Sequence, residues 1–131
     1  MNISEVARMS GLTSKTIRYY ETLGLIEPGR EVNGYRTYGS QDLDALCFLQ
    51  RARATGFGLE ESRQLLELYR KPQRHSADVR ELVQRKLAQV HEQIEQLQAM
   101  AQTLQGMVQA CRGDEAPDCA IINRLADVER K

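Results

Sequence analysis

The chain is 131 residues long, 41% hydrophobic and 27% charged, with 18 Lys and Arg against 18 Asp and Glu. That length admits one ordinary domain, or a small domain with an extension, and the apolar share admits a packed core. With no long apolar run a transmembrane helix is excluded, and a net charge of zero means that bulk charge cannot argue for a nucleic-acid partner.

The opening MNISEVARM has no basic segment followed by an apolar one, so no signal peptide is expected and the protein is expected to be cytoplasmic. Thiols stay reduced there, so paired cysteines point to metal or redox chemistry before structural disulfides. The charge is slightly uneven: residues 1–74 hold 11 cations against 9 anions, and residues 75–131 hold 7 against 9.

Ile3, Val6 and Ala7 recur at helical spacing, with Ser4 as the expected N-cap and Ser10-Gly11 as the stop. Thr13 is expected to cap a second helix that runs to Leu23, with Gly24 supplying a positive φ after it. Ile17, Tyr20 and Leu23 share its inner face, while Ser14, Lys15, Arg18 and Tyr19 fall largely on the other. Two short helices about a glycine turn make a helix-turn-helix, and a face of cations and hydroxyls suits the major groove. An ordinary helical hairpin with a solvated polar face fits that stretch equally well. The segment after Gly24 favours the helix-turn-helix. Pro28-Gly29, the turn signal Asn33-Gly34, and the β-favouring Tyr35 to Tyr38 predict a small hairpin, a wing, with Arg36 between two tyrosines. One of those tyrosines is expected to pack the hairpin onto the helices.

The segments IRYYETLGLI and NGYRTY, and then QRARATGFGLEESRQLL, resemble the MerR family of transcription regulators over almost the whole chain. Carried over by position, the resemblance implies DNA contacts from Lys15, Arg18, Tyr19, Tyr35, Arg36, Tyr38 and Arg53. The second helix pair also reads from its own residues. Ser40 is expected to cap a helix to Thr55, with Leu43, Leu46, Cys47 and Leu49 as its apolar positions. Cys47 is expected to be a small core residue, and Arg51 a solvated charge. A further helix is expected near Leu59, with Glu60 and Glu61 at its positive end and Leu65, Leu66 and Tyr69 buried.

From Ala77 to Ala110 no proline occurs, and Val83, Leu87, Val90, Ile94, Leu97, Ala101, Leu104 and Val108 are spaced alternately four and three apart. That is a heptad seam, which needs a partner to bury it. A helix of such length, about 50 Å at 1.5 Å per residue, outreaches a domain of seventy residues, so a homodimer is expected. The resemblance implies an antiparallel pair that spaces two heads on a pseudo-palindromic site.

CRGDEAPDC comes next, Cys111 to Cys119, and Ile121, Ile122 and Leu125 then suggest a short closing helix packed by its apolar side. A redox pair is one reading of the two thiols. Structural zinc asks for four ligands, and His75 and His91 lie elsewhere in the sequence. A monovalent soft ion is served by two thiolates alone, and the charge left to bury is then single. PQRHSADV, the long helix and the spacing of the loop resemble the CueR-like branch of the family, which senses copper, gold and silver. The resemblance implies that Cys111 and Cys119 bind the ion, with Cu(I) leading and Au(I) or Ag(I) alternatives. Divalent-sensing relatives carry a further cysteine where this chain has Ser76. By that resemblance the partner's copy of this serine covers the site without ligating, and as a plain residue it is an N-cap of the long helix. Ala120 departs from the proline common at that place in relatives.

The expected fold is therefore mainly α. A winged helix-turn-helix occupies 1–70, a linker and dimerisation helix 71–110, and a metal-binding loop with a short helix 111–131. The expected function is not enzymatic. It is a homodimeric, metal-responsive regulator that holds promoter DNA and distorts it for RNA polymerase when the ion binds, with metal-resistance genes as its targets. Two alternatives stand beside it: a redox-sensing regulator using a Cys111–Cys119 disulfide, and a small copper buffer, which would leave the wing without purpose.

Overall fold

A computed structural model describes residues 1–117 and 119–126. The chain divides into two compact units, Met1–Gln84 and Arg85–Lys131. The first holds α1 (Ile3–Ser10), α2 (Ser14–Thr22), β1 (Gly29–Arg30), β2 (Arg36–Thr37), α3 (Ser40–Thr55), α4 (Leu59–Arg70) and the start of α5 (Ser76–Ala110). The rest of α5, the cysteine loop and α6 (Ala120–Ala126) belong to the second.

The helix ends follow from side chains that satisfy free N–H groups. Asn2, and not Ser4, caps α1: its Oδ1 accepts from Glu5 N at 2.9 Å while Glu5 Oε1 accepts from Asn2 N at 3.2 Å. This reciprocal box begins the helix one residue before Ser4. Gly11 ends it at φ 75°, a left-handed turn that a Cβ would strain. Thr13 caps α2 through Thr16 N at 3.1 Å, and Gly24 follows at φ 76°. Ser40 is the first helical residue of α3 and not its cap; Gly39 precedes it, its N–H donating to Asp42 Oδ2 at 2.9 Å. Ser76 likewise lies inside the first turn of α5.

β1 and β2 pair antiparallel, Gly29 opposite Thr37 and Arg30 opposite Arg36. The turn between them closes through Gly34 N to Glu31 O and Glu31 N to Tyr35 O, both 2.9 Å. At the far end the wing is tied to the first residue of the chain. Tyr38 N donates to Met1 O at 2.7 Å, and the Met1 amine donates to Tyr38 O at 3.0 Å.

One core joins these pieces. Val6, Ile17, Tyr20, Leu25, Ile26, Tyr38, Ala45, Leu46, Leu49 and Leu66 are all buried. α1 packs on α2 and α3, and α3 on α4. Three expected core positions, Leu23, Tyr69 and Cys47, lie outside it. Leu23 is exposed beyond the end of α2. Tyr69 is 40% exposed: its ring stacks on Phe48 at 4.6 Å and its hydroxyl donates to Asp44 Oδ2 at 2.7 Å. An aromatic with a polar tip covers the margin of a core while its hydroxyl finds an acceptor. Cys47 is half-buried on α3, its Sγ 3.9 Å from Met9 O. Among the described residues no helix is long and apolar enough to cross a membrane.

Candidate nucleic-acid interface and thiol site

α2 presents Lys15, Arg18 and Tyr19 to solvent, because Ile17 and Tyr20 take its inner face. The wing brings Tyr35 and Arg36 beside Arg18. Arg18, Tyr35 and Arg36 line one open cleft of about 530 Å³ with Met1, Asn2 and Glu31 among its walls. Lys15 lies on the first turn of α2 and Arg53 on the last turn of α3; both are exposed, and neither lines that cleft.

The two wing tyrosines separate. Tyr35 is 73% exposed, whereas Tyr38 is 1% exposed and sits in the core. Tyr38 is thus corrected from a surface contact to a packing residue: three positions on in an extended segment, it falls on the opposite face from Tyr35. Among the described residues its enclosed hydroxyl has no hydrogen-bond partner, and burial holds the phenol above its ordinary range. Leaving a buried donor unmade costs about 1–3 kcal/mol. Tyr38→Phe is therefore expected to stabilise the fold by about 1 kcal/mol and leave DNA affinity unchanged. Denaturant midpoints at a fixed protein concentration check the first point, and a fluorescence anisotropy titration with duplex DNA the second.

Arg36 is not free in the way the sequence suggests. Its Nε lies 2.9 Å from Glu21 Oε1 and 2.6 Å from Oε2, and this carboxylate raises the guanidinium pKa further. Sequence reading missed Glu21, fifteen residues away, and also Arg30, which pairs across the wing from Arg36. The turn at Asn33-Gly34 fixes that register, so Arg30 could have been found by counting back from it.

In the second unit the loop brings Cys111 and Cys119 together, Sγ to Sγ 3.0 Å. Cys111 ends the long helix, its N–H donating to Met107 O at 3.1 Å. Gly113 then turns the chain at φ 66°. Asp114 Oδ1 accepts from Ala116 N at 3.0 Å and its Oδ2 lies 3.6 Å from Arg112 Nε. This is the local bonding by which an aspartate fixes a turn. Cys119 precedes α6, its carbonyl accepting from Asn123 N at 3.0 Å. The Cys111 thiol is held above its usual range, first by its hydrogen bond with Cys119; the Gly113 N–H acts the other way. Among the described residues no group of three or more His, Cys, Asp and Glu converges on a common point. The donor set fits an ion content with two soft sulfurs and falls short of a four-ligand zinc site. Of the loop's acids Asp118 lies outside the described residues, as do residues 127–131 of the expected C-terminal segment. In α6, Ile121 is half-buried while Ile122 and Leu125 are exposed, so the expected packing by its apolar side holds for Ile121 alone.

The seam positions of α5 are exposed in the single chain. Val83, Leu87, Ile94, Leu97, Leu104 and Val108 are open to solvent, and Val90 is half-buried. The buried residue of this helix is Leu82, one position off the seam.

The sequence and the fold have counterparts among known proteins. Residues 1–68 match the profile of the MerR HTH family regulatory proteins, and residues 43–107 that of the MerR DNA-binding region. The chain is 51% identical over 127 residues to the HTH-type transcriptional regulator HmrR of Rhizobium leguminosarum bv. viciae, covering 97% of this chain and 98% of that one. It is 50% identical to the HTH-type transcriptional regulator CueR of Escherichia coli O6:H1, over 96% of this chain and 94% of that one. Among solved structures, the transcription regulator PbrR691 from Ralstonia metallidurans CH34 in complex with lead(II) superposes with a TM-score of 0.86 at 33% identity, over 95% and 98% of the two chains.

Proposed function

The chain belongs to the MerR family of helix-turn-helix regulatory proteins, and from that premise we propose that it is a homodimeric transcription activator switched by Cu(I) at Cys111 and Cys119. The observation that carries the ion is the thiol pair itself, two sulfurs 3.0 Å apart with no third ligand group among the described residues. A monovalent ion on two thiolates leaves one negative charge, and a divalent ion would usually recruit more donors. Ser76 supports the same choice: it opens α5 at the position where divalent-sensing members carry cysteine. The likeness to a lead(II)-bound regulator supports metal response in general and leaves valence to the donor set.

The DNA side rests on Lys15, Arg18 and Tyr19 of α2, on Tyr35 and Arg36 of the wing, and on Arg53 at the end of α3. Phosphate contacts set affinity and register, and the α2 side chains that reach base edges set sequence. The α5 seam joins two heads on a pseudo-palindromic promoter. Ion binding at the loop orders the segment between α5 and α6, and the dimer changes the bend and twist it imposes on the DNA, the form in which RNA polymerase starts. Deformation of DNA is an energetic readout in its own right. It requires that the ion bind the activating conformation more tightly than the other. The same 3.0 Å approach also favours a second reading, a redox sensor that closes a Cys111–Cys119 disulfide.

An anaerobic competition titration of the reduced protein against a Cu(I) chelator, repeated with Zn(II), tests the proposal. One tight Cu(I) per chain, unmatched by Zn(II), is the expected result. Both thiols must lose a proton to bind, and the raised pKa of Cys111 keeps it protonated at neutral pH. Apparent affinity is therefore expected to fall with falling pH by about two decades per unit below the thiol range. A flat pH profile, or Zn(II) bound equally well, would overturn the two-thiolate site and return the loop to redox sensing.

A further inference from the structure

The Glu21 side chain caps no helix and lies outside the hydrophobic core, yet it stands at the junction of α2 and the wing. It is 20% exposed, and both carboxylate oxygens lie within 3 Å of Arg36 Nε. Arg36 is 38% exposed, and among the described residues its one side-chain hydrogen bond is made by Nε, with none at Nη1 or Nη2. The guanidinium is held by one edge and open along the other. Arginine offers five N–H donors in a rigid planar fork, and the free pair matches phosphate. With Nε pinned, much of the freedom such a side chain would lose on binding is already lost.

The register of the wing adds an independent reason. Arg30 and Arg36 are direct cross-strand partners, so the two side chains share a face, and like charges placed so are destabilising. Arg30 turns its Nη1 to Gly34 O at 3.2 Å, and Glu21 takes the charge of Arg36. A bare carboxylate here would repel a DNA backbone. Neutralised by Arg36, it can stay at the rim of a cleft that Arg18 and Tyr35 share with Arg36.

We propose that Glu21 is a positioning residue for DNA binding: it grips Arg36 by Nε and aims the open edge of the fork at a backbone phosphate. This rests on the reading of the chain as a DNA-binding regulator.

A double-mutant cycle on a duplex selected by the wild-type protein from random sequence tests it, with affinity measured across a salt series. Arg36→Ala is expected to weaken binding and to lower the salt slope by about one. Glu21→Ala is expected to weaken binding about tenfold with the slope moving the same way, the size of one charge-assisted hydrogen bond. Glu21→Gln keeps an oxygen for Nε and is expected to recover most of the loss. In the Arg36→Ala background Glu21→Ala is expected to cost nothing more. Losses that simply add would show that Glu21 supports the fold and not the fork, and tighter binding by Glu21→Ala would show that it masks Arg36; either overturns the proposal. A wild-type protein that selects no duplex, or a Lys15→Ala variant that binds as well as wild type, counts against the regulator reading itself.

Discussion

Cys119→Ser is expected to abolish tight Cu(I) binding while leaving the fold, the dimer and DNA binding by the metal-free protein in place. Serine can keep the contact with Cys111, whose Sγ lies 3.0 Å away, because a hydroxyl both donates and accepts. It can also keep the backbone bond from Asn123 N to the residue-119 carbonyl that starts α6. It cannot supply a second thiolate: a hydroxyl does not ionise near neutral pH, and its oxygen is hard where the ion is soft. Loss of groups that merely orient a metal ligand already costs about 10–100-fold in affinity, so loss of one of two ligands is expected to exceed about a hundredfold. Cys47→Ser serves as the control. That thiol lies on α3 in the other unit, beside Met9 O, and its replacement is expected to leave the titration unchanged. In a transcription assay Cys119→Ser is expected to bind promoter and fail to respond to copper. A variant that still bound one Cu(I) per chain with full affinity would show that the ion sits elsewhere.

The helices and the wing were legible because local rules set them. Apolar spacing gave the faces of α1 and α2, and Thr13, Gly11, Gly24 and Gly56 punctuate the chain where cap and turn chemistry requires. Caps were misread where two residues compete within one turn. Ser4 and Ser40 are good caps by type, yet the reciprocal bonds between Asn2 and Glu5, and the single bond from the Gly39 N–H to Asp42, begin the helices earlier. The two tyrosines of NGYRTY could not be separated by composition. Their three-residue offset puts them on opposite faces of an extended segment, but only the core formed by Ile17, Ile26 and Leu46 says which face is inward. Glu21 was invisible for another reason. Its partner lies beyond a turn and a strand, and pairwise contact across fifteen residues has no sequence period. The thiol pair needed only proximity along the chain and was the most readable feature of the loop. Its ion is argued from donor chemistry, which the fold leaves unchanged.

Leu97→Glu is expected to break the dimer. Leu97 lies mid-seam on a helix of 35 residues and is 62% exposed in the single chain. Ile94, Ala101 and Leu104 along the same seam are exposed as well. Each such side chain is worth about 1.5–3 kcal/mol when buried. In a two-fold interface one substitution alters both copies. The variant therefore loses two leucines and gains two carboxylates that dimerisation would take out of water, at several kcal/mol each unless paired. The dissociation constant is expected to rise by more than about a hundredfold, since every 1.4 kcal/mol is tenfold. Sedimentation over a dilution series checks it, with Gln98→Glu, one position off the seam, expected to stay dimeric. The monomer then separates the ion from its effect. Cys111 and Cys119 come from one chain, so the variant is expected still to bind one Cu(I) per chain, with some loss of affinity if the partner's serine shelters the site. One head holds one half-site, so affinity for the full promoter and the transcriptional response are expected to vanish together. A variant that stayed dimeric at nanomolar concentration would place the interface on another face of α5. One that became monomeric and lost Cu(I) altogether would mean that the partner supplies a ligand.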